Sequence, residues 1–481
     1  MLLVHGYSGA YDKVTRRVAD YLRSRSGAVP KPLFGEWKEE QPPAEAQVVK
    51  PSEQVIEVLK RRGYLTQMTH AEEEAFFSKV AGKLHQMSVN TMPSYIFMPT
   101  YQCNLRCPYC FQDHMRTNPA FRHLLRIMQP EMVDRIFAAL PRIEAGHGIQ
   151  PGSQQARNIT FFGGEPLLSE SRPLIEYVMR KARELGRANF SAISNATELD
   201  AYTDLLGPEH ISHIQITLDG PQREHDQRRI YPDGSGSFER IARNITLALE
   251  RGTKIGVRVN VDKNNVHQLP ELAEEFHRRG WEGHPGFSAY AAPINASNGK
   301  TDENSILGSW LLTKTLGEMR DQNPRMNRFG GPDDGLREKV RRIFERHENP
   351  LPSFRTEFCG AHNRMYIFDA FGDMYACWER TGDPKIRIGN IQEDGNVLTS
   401  KTQTDLWRTR TVTSNPVCRQ CRFAFYCGGG CAILAEAQNG ELHSNHCDGF
   451  SKRFRASAAE AYAAHASGAE SVGNSDRVCD L

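Results

Sequence analysis

The placement of the cysteines constrains this chain more than any other feature of its sequence. The chain has 481 residues and 11 cysteines, and all but one of the cysteines lie in closely spaced sets between residues 103 and 447. In a small exported domain, such density indicates disulfides. A chain of this length can bury a large core in two or three domains without them. We therefore expect the clustered thiols to be metal ligands.

The composition excludes several classes of function. Hydrophobic residues make up 39% of the chain and charged residues 25%, as in an ordinary globular protein. The 60 basic and 58 acidic residues nearly cancel, so no overall charge favours nucleic acid. No apolar run approaches the ~20 residues that cross a bilayer, and residues 1–6 do not resemble a secretory signal. We expect a cytoplasmic protein with neither a nucleic-acid nor a membrane partner.

Residues 1–90 are predicted to form a separate N-terminal module. A strand and a helix are expected within residues 2–26, followed by a Pro-rich linker over residues 30–51. A second helix is expected over residues 52–62. A third, which opens with a capping box, is expected over residues 69–85.

Short apolar runs alternate with amphipathic helical runs between residues 91 and 300. Such alternation predicts parallel βαβ units. The strands are expected at Ser94–Thr100, Asn158–Phe162, Phe190–Ser194, Ile214–Leu218, Gly256–Val261 and Gly286–Ala292. The helices are expected near 129–144, 171–186, 199–206, 237–251 and 267–279. Six units of this kind form either an open sheet or a partial barrel, and periodicity does not choose between them.

Three segments follow the βα units. Residues 301–356 are polar and helical and are expected to bridge two domains. Residues 357–450 are rich in cysteine and glycine, which predicts a small domain held by metal rather than by a large apolar core. Residues 451–481 are expected to form an Ala-rich helix around 456–464 and then a polar tail.

The first set of cysteines, Cys103, Cys107 and Cys110, follows the first predicted strand with the spacing C-x3-C-x2-C. The next cysteine is Cys359. Three thiolates can bind three irons of a [4Fe–4S] cube and leave the fourth iron open to a non-protein ligand. A zinc loop with a distant fourth ligand is the alternative. An aromatic residue directly before the last cysteine favours the cluster.

At these residues the sequence resembles the radical S-adenosylmethionine (SAM) superfamily, whose cysteine motif lies after the first barrel strand. Tyr109 stands at the aromatic position of that motif. The segment Gly163-Gly164-Glu165-Pro166 follows the second predicted strand, as does the superfamily segment whose backbone binds the SAM amino group. Glycine permits the close approach that such binding needs. The resemblance implies an α/β fold: a partial (β/α)6 TIM-like barrel between an N-terminal α+β module and a C-terminal iron–sulfur domain.

Related enzymes imply two further contacts with SAM. Ser194, at the end of the third strand, would bind the ribose hydroxyls. Arg229, at the end of an L-D-G-P…H-D-x-x-R stretch, would pair with the SAM carboxylate. A helix-capping serine and a solvent-exposed arginine are the purely structural alternatives.

The C-terminal cysteines resemble the SPASM domain found behind radical SAM barrels. All seven positions of its C-x12-G-x4-C … C-x2-C-x5-C-x3-C … C pattern are present, with Gly372 as the glycine. One four-cysteine zinc site would leave three thiols over. The resemblance implies two further [4Fe–4S] clusters, held by an outer set and an inner set. The outer set is Cys418, Cys421, Cys427 and Cys447, and the inner set is Cys359, Cys377 and Cys431.

The inner set has three cysteines, and the remaining thiol, Cys479, is expected to be a bystander. We therefore hypothesise an open iron on the inner cluster that binds a substrate thiolate or another substrate donor.

The resemblance also implies a reaction. SAM is cleaved reductively to methionine and a 5′-deoxyadenosyl radical, which abstracts hydrogen from a C–H bond. SPASM-type enzymes mostly modify peptides, so a ribosomal precursor peptide is the expected substrate, and a ferredoxin or flavodoxin the expected reductant. The product stays open: a thioether, C–C or C–O crosslink, or an epimer. The N-terminal module is expected to be a winged helix that captures a leader peptide by β-augmentation. An extension that packs on the barrel is the alternative.

Three other functions compete with this one. Anaerobic sulfatase maturases, which make formylglycine, have aspartate after the cysteine that matches Cys377. Trp378 stands there, which counts against that activity, and the next residue, Glu379, is the candidate acid or base. A ferredoxin-type electron carrier would need neither the Gly-Gly turn nor six βα units. A zinc-bound interaction protein would contain no iron.

Overall fold

The computed structural model describes residues 1–25, 48–295, 302–345 and 354–467. Most of the expected Pro-rich linker lies outside these residues, as do Cys479 and the rest of the tail from residue 468. No helix within the described ranges is long and apolar enough to cross a membrane.

The N-terminal module begins with a β-hairpin where the sequence predicts a single strand. Strand β1 (Leu2–Val4) pairs antiparallel with β2 (Tyr11–Lys13). Three helices follow: α1 (Arg16–Arg25), α2 (Glu53–Arg61) and α3 (His70–Val89). The predicted capping box is confirmed at α3, where Thr69 and Glu72 each bond the backbone N–H of the other.

Six parallel strands, neighbours in chain order, form the partial barrel. They are β3 (Ser94–Phe97), β4 (Arg157–Phe161), β5 (Ala188–Ser194), β6 (Ile211–Thr217), β7 (Lys254–Val261) and β8 (Phe287–Pro293). Each predicted strand is confirmed to within a few residues. Because the strands are parallel, their C-terminal ends meet at one edge of the sheet, where barrel enzymes build their active sites.

Helices alternate with these strands. They are α4 (Asp113–Thr117), α5 (Pro130–Gly146), α6 (Arg172–Glu184), α7 (Gln222–Arg228), α8 (Phe238–Glu250) and α9 (Leu269–Arg278). The apolar faces of α5, α6, α8 and α9 pack with the buried strand residues in the main core. The helix predicted near residues 199–206 is a 3₁₀ segment, Leu199–Leu205. The sequence does not predict α4 and α7, because helices of one or two turns show little periodicity.

The segment expected to be polar and helical is confirmed and contains α10 (Ser309–Gln322) and α11 (Asp334–Glu345). Between them lies a two-residue strand, β9 (Phe329–Gly330), which pairs in parallel with β8. Further 3₁₀ segments lie at Pro119–Leu125, Ser169–Ser171, Val266–Gln268, Glu303–Ser305, Pro324–Arg328, Gly360–His362 and Pro384–Ile386.

The C-terminal region continues the barrel sheet. Its strands are β10 (Met365–Phe368), β11 (Asp373–Tyr375), β12 (Gly389–Ile391) and β13 (Val397–Thr399). Its helices are α12 (Lys401–Arg408), α13 (Pro416–Arg419), α14 (Ala424–Cys427), α15 (Ala432–Asn439) and α16 (Phe450–Ala466). Strand β10 pairs in parallel with β3, so β3 to β13 form one sheet. Ile367 and Phe368 on β10 are fully buried against the barrel. The expectation that metal holds this region stays a prediction.

Helix α3 fastens the N-terminal module to the cysteine-rich region. The ring of Phe77 stacks on that of Phe425, with 4.7 Å between centroids. Near the other end of α3, Nδ1 of His85 lies 3.3 Å from a carboxylate oxygen of Glu357. Burial raises the pKa of Glu357, but hydrogen bonds from His85 and other neighbours outweigh it and hold the pKa at about 2. The module is therefore docked by both apolar and polar contacts.

Substituting Phe77 by Ala is expected to lower the free energy of unfolding by about 3–5 kcal/mol, because a buried aromatic side chain is lost. Phe77 is 1% exposed, whereas Phe76 on the same helix is 42% exposed. Phe76→Ala is thus a matched control, with an expected change below ~0.5 kcal/mol. Urea unfolding followed by circular dichroism measures both. Equal losses in the two variants would contradict the docking described here.

Candidate active site

The loop of the first set leaves β3 at the C-terminal edge of the sheet. Cys107 is buried, and Cys103 and Cys110 are partly exposed. The thiols are close enough that negative charge on Cys103 or Cys110 raises the pKa of Cys107. Burial is the larger cause and brings that pKa to about 12. The three thiols predicted to hold a cluster are therefore neighbours in space.

Two glycines lock the loop after β4 against the loop of the first set. Gly163 has φ +149°, and a Cβ there would lie 2.5 Å from the carbonyl oxygen of Thr100. A Cβ on Gly164 would lie 2.1 Å from the carbonyl oxygen of Gln102. The N–H groups of Gly164 and Glu165 donate to those same oxygens, at 3.1 and 2.7 Å. The glycines thus allow the loop after β4 to approach the backbone of the loop of the first set closely. The sequence had suggested instead that they make room for a ligand.

Glu165 ties the loop after β4 to the end of β5. Its carboxylate accepts hydrogen bonds from the Ser194 hydroxyl at 2.7 Å, the Asn195 N–H at 2.6 Å and the Leu167 N–H at 2.9 Å. Burial raises the pKa of Glu165 to about 7, although these bonds oppose the rise. The Ser194 hydroxyl in turn accepts from the Ala196 N–H at 2.8 Å. Glu165 and Ser194, both predicted to contact SAM, therefore bond each other inside the protein.

Tyr109 connects the first set to the strands across the barrel. Its hydroxyl donates to Asp219, which follows β6, and accepts from Arg229 Nη1 at 2.9 Å and Asn260 Nδ2 at 3.4 Å. Arg229 is 8% exposed, and its Nε has no hydrogen-bond partner among the described residues. Its charge acts on Cys107 and Asp219. Arg229 thus presents a buried positive charge and an unused donor beside the first set.

A buried histidine fixes the backbone around Arg229. The Asp219 N–H donates to His225 Nδ1 at 3.3 Å, and His225 Nε2 lies 3.0 Å from the Ser237 hydroxyl. That hydroxyl donates its proton to the Arg229 carbonyl at 2.7 Å, so it accepts from the histidine. Burial lowers the pKa of His225 well below 6.5, with the charge of Arg229 adding to the effect. The neutral ring therefore links Asp219 to Arg229.

Sequence reasoning missed two asparagines that cross-link this edge. Asn195 Nδ2 donates to Asn104 Oδ1 at 2.9 Å and lies 3.7 Å from the Cys103 sulfur. Asn104 donates to the Thr197 hydroxyl at 2.8 Å. Ala196, directly after Asn195, has φ +62°, a conformation that residues with a Cβ rarely adopt and that is enriched at functional sites. Their positions in the sequence, directly after Cys103 and Ser194, could have indicated a role in the site. Asparagine is also a common turn residue, however, so position alone does not indicate such a role.

Arg116, on α4, is a second arginine that sequence reasoning missed. Its Nη2 donates to the Cys110 sulfur at 3.1 Å and its Nη1 to the Tyr101 carbonyl at 3.3 Å. A donor at this distance from a thiolate stabilises the negative form of the sulfur.

The structure divides the seven C-terminal cysteines into two groups. Charge interactions join Cys418 to the other members of the outer set: Cys427, Cys421 and Cys447. They likewise join Cys377 to the other members of the inner set: Cys359 and Cys431. Burial raises the pKa of Cys427 to about 12 and that of Cys359 to about 11. The two sets named from the sequence are thus two spatial groups, and their ligation of clusters remains a prediction.

In the described part of the chain, no three His, Cys, Asp or Glu side chains gather closely enough to hold one metal ion. In a [4Fe–4S] cube, each thiolate binds a different iron, so the sulfurs stand further apart than ligands of one ion.

A run of three glycines separates the two sets. Gly428, Gly429 and Gly430 have φ of +75°, +84° and +75°. A Cβ on Gly430 would lie 1.9 Å from the carbonyl oxygen of His446. Only glycine tolerates such a run and such an approach. The turn sends Cys427 to the outer set and Cys431 to the inner set.

Glu379, the candidate acid or base, lies beside the inner set. It is half-buried, and its charge adds to burial in raising the pKa of Cys377. The ring of Trp378 packs on Phe162, with centroids 5.6 Å apart, immediately before Gly163. The segment from Cys377 to Glu379 therefore runs from the inner set to the loop after β4.

Residues 97–276 match the sequence model described as the Radical SAM superfamily. This part of the chain is therefore a radical SAM domain. The match begins at the end of β3 and ends in α9, so it includes the first set, the Gly-Gly turn and Arg229. Radical SAM enzymes use a [4Fe–4S] cluster and SAM.

Several known proteins are similar to this chain. A solved structure described as native anSMEcpe with bound AdoMet and Cp18Cys peptide has a TM-score of 0.57 and 16% identity, and covers 78% of this chain and 100% of its own. A cysteine-type anaerobic sulfatase-maturating enzyme of Clostridium novyi (strain NT) is 22% identical over 385 residues, 73% of this chain and 91% of the relative. A GTP 3′,8-cyclase of Paracoccus denitrificans (strain Pd 1222) is 24% identical over 293 residues, 58% and 74% of the two chains. The names of these relatives differ in substrate, so they support the fold without fixing a reaction.

Substituting His225 by Phe is expected to lower the free energy of unfolding at pH 8 by about 1–3 kcal/mol, because buried hydrogen bonds are lost. As the pH falls below 6.5, the wild type loses more stability than the variant, because unfolding exposes His225, which then gains a proton that the buried ring does not hold. The difference between the two proteins should therefore shrink by roughly 1.4 kcal/mol between pH 8 and pH 5.5.

The control for this measurement is Ser237→Ala, which removes the two hydrogen bonds of the Ser237 hydroxyl but keeps the imidazole. Urea unfolding at both pH values is expected to show the wild-type pH dependence in this variant. A constant difference between wild type and His225→Phe would mean that the pKa of His225 is the same in the folded and unfolded protein, and would contradict the neutral buried ring.

Proposed function

We propose that this chain is a SPASM-type radical SAM maturase that modifies a ribosomal precursor peptide. One observation carries the proposal: Arg229, with its unused buried donor, lies beside the first set at the strand edge. Two further groups of thiols lie in the region whose sheet continues the barrel. A protein that only carries electrons has no need of an unused, buried hydrogen-bond donor beside its cluster.

The cysteines of the first set and Arg229 fit the [4Fe–4S] cluster and SAM that the superfamily uses. We propose that Cys103, Cys107 and Cys110 hold the [4Fe–4S] cluster. Arg229 would pair with the SAM carboxylate through its Nε, which otherwise remains a costly unpaired donor. An amino group donates hydrogen bonds, so the carbonyl oxygens of Gly163 and Gly164 would accept from it. When bound, the cluster and SAM would supply a 5′-deoxyadenosyl radical by one-electron cleavage of the SAM C–S bond.

The remaining residues of the site would hold the SAM-binding groups in position and exclude water. Tyr109 and Asp219 hold the guanidinium of Arg229 from one side. Glu165 and Ser194 hold the Gly-Gly turn to β5, and Ser194 would reach the ribose only through its second lone pair. Because Asp219, Arg229, Glu165 and Ser194 are buried, they would keep water from the place where the radical would form.

We further propose three [4Fe–4S] clusters in all, with auxiliary clusters on the outer and inner sets. The inner set offers three thiols, so its fourth iron would bind a substrate donor. Glu379 would move a proton to or from the peptide, since it lies beside Cys377 in the segment that reaches the loop after β4. A ferredoxin or flavodoxin would supply electrons.

A peptide substrate is supported by the module at residues 1–90, which we propose captures a leader peptide. In the β1–β2 hairpin, His5 N–H bonds Ala10 and Val14 N–H bonds Met1. By the alternation of an antiparallel pair, the backbone groups of Leu2 point away from β2, as addition of a third strand requires. We propose further units at residues 91–300, 301–356, 357–450 and 451–481, and one sheet runs through the first three of them.

Sulfatase maturation is the second candidate function, because a sulfatase-maturating enzyme matches 73% of this chain. Trp378 stands where those enzymes have aspartate. Formation of an aldehyde on a peptide carrying a sulfatase cysteine or serine would favour this function over crosslinking.

The decisive experiment is anaerobic. The protein is reconstituted with iron and sulfide, and SAM, dithionite and candidate peptides are added. Mass spectrometry is expected to detect 5′-deoxyadenosine with the wild type and none with the Cys103→Ala/Cys107→Ala/Cys110→Ala variant. Cys479→Ala, outside all three sets, is the control and should match the wild type. A wild type that holds iron and still makes no 5′-deoxyadenosine would contradict the proposal.

Arg229→Met is expected to weaken SAM binding by about 30-fold or more, because an interaction with a buried charge is worth roughly 2 kcal/mol or more. Equilibrium dialysis of the reconstituted protein measures the affinity. Arg240→Met, which removes a surface ion pair with Asp200, is the control and should bind SAM normally. Unchanged affinity in Arg229→Met would refute the assigned role.

A further inference from the structure

One buried cation in the cysteine-rich region lacks a carboxylate partner. Arg410 is 2% exposed. Across residues 1–25, 48–295, 302–345 and 354–467, no aspartate or glutamate lies within ion-pair distance of its guanidinium. An unpaired charge in the interior is strongly destabilising. Arg410 therefore calls for a source of negative charge close to it.

The hydrogen bonds of Arg410 are complete, but all of them go to neutral groups. Its Nε donates to the Leu442 carbonyl at 2.6 Å, and Nη2 donates to the carbonyls of Ser444 at 2.8 Å and Gly429 at 3.3 Å. Its Nη1 donates to the Gly430 carbonyl at 3.0 Å and lies 3.4 Å from His362 Nε2. These bonds satisfy the donors without cancelling the charge.

The groups near Arg410 that can become negative are thiols, and they belong to both sets. Its charge interacts with Cys418 and Cys427 of the outer set and with Cys431 and Cys359 of the inner set. A Cβ built on Gly429 would lie 3.8 Å from the Cys418 sulfur and 4.0 Å from Arg410 Nη1. The guanidinium thus lies between the two sets.

The loops that Arg410 holds are the loops that carry the cysteines. Gly429 and Gly430 join Cys427 to Cys431, and Ser444 lies three residues before Cys447. One side chain therefore fixes parts of both sets. Arg355 also acts on one cysteine of each set, Cys427 and Cys359, but the negative charge of Glu357 lies close to it.

We propose that Arg410 is the shared counter-ion of the two auxiliary clusters, a positioning residue that raises the reduction potentials of both. This inference rests on the proposed function, which assigns clusters to the outer and inner sets. A [4Fe–4S] cube bound by thiolates is negatively charged, and reduction makes it more so. A cation between two such cubes stabilises the reduced form of each. The cubes in turn supply the negative charge that Arg410 lacks.

The test uses the full chain with Cys103, Cys107 and Cys110 changed to Ala, so that only the auxiliary clusters remain. Potentiometric titration followed by electron paramagnetic resonance gives their midpoint potentials, and iron analysis gives their occupancy. Arg410→Gln is expected to move both midpoints to more negative potentials, whereas Arg410→Lys stays near the parent. Arg387→Gln is the matched control, because Asp373 already compensates Arg387 at 2.6 Å. That variant should leave both midpoints unchanged.

The outcomes separate this inference from the proposed function. If the parent protein holds no iron–sulfur cluster, the auxiliary clusters and this role of Arg410 both fail. If the clusters are present and Arg410→Gln leaves either midpoint unmoved, only this inference fails. If Arg410→Gln takes up no iron, Arg410→Lys decides: full loading with parental midpoints supports a role of charge, and failure to load overturns it.

Discussion

The interlocking of two loops at the C-terminal edge of the sheet is the constraint on which this site depends. The N–H groups of Gly164 and Glu165 bond the carbonyls of Thr100 and Gln102, and a side chain on either glycine would clash with that backbone. Once the loops meet, Glu165 reaches β5. From β5, Asn195 returns to the loop of the first set. The hydrogen bonds form a closed circuit over three strands, so displacement of one loop would leave buried donors unpaired in the others, at about 1–3 kcal/mol each.

The same constraint explains why much of the barrel was predictable from the sequence. Each strand carries a run of apolar residues that the sheet buries, so its position follows from composition and period. The cysteine spacings and the Gly-Gly turn lie directly after such strands, which fixes the edge at which they meet. The division of the C-terminal cysteines into two groups came from a resemblance, and the structure brings the same thiols together.

What could not be predicted depends on contacts between distant residues. Strand β10 has four residues, too few for a period, and is recognisable only by its pairing with β3. The hairpin at the N-terminus has strands of three residues each. Ser194 ends a strand, as expected, but the burial of Glu165 decides where its hydroxyl points. Arg116 and Arg410 are ordinary arginines in the sequence and become notable only through the sulfurs beside them.

Charge balance joins these separate observations. Burial raises the pKa of the carboxyl groups near the first set, Glu165 and Asp219, and so works against their negative charge. Arginines do not lose their charge when buried, so Arg229, Arg116 and Arg410 leave an excess of positive charge around the thiols. Thiolate-bound clusters and the carboxylate of SAM are anions that would balance this excess of positive charge. A buried charge that is unbalanced within the protein thus indicates the charge of what the protein binds, in the same way that an unpaired donor indicates an acceptor.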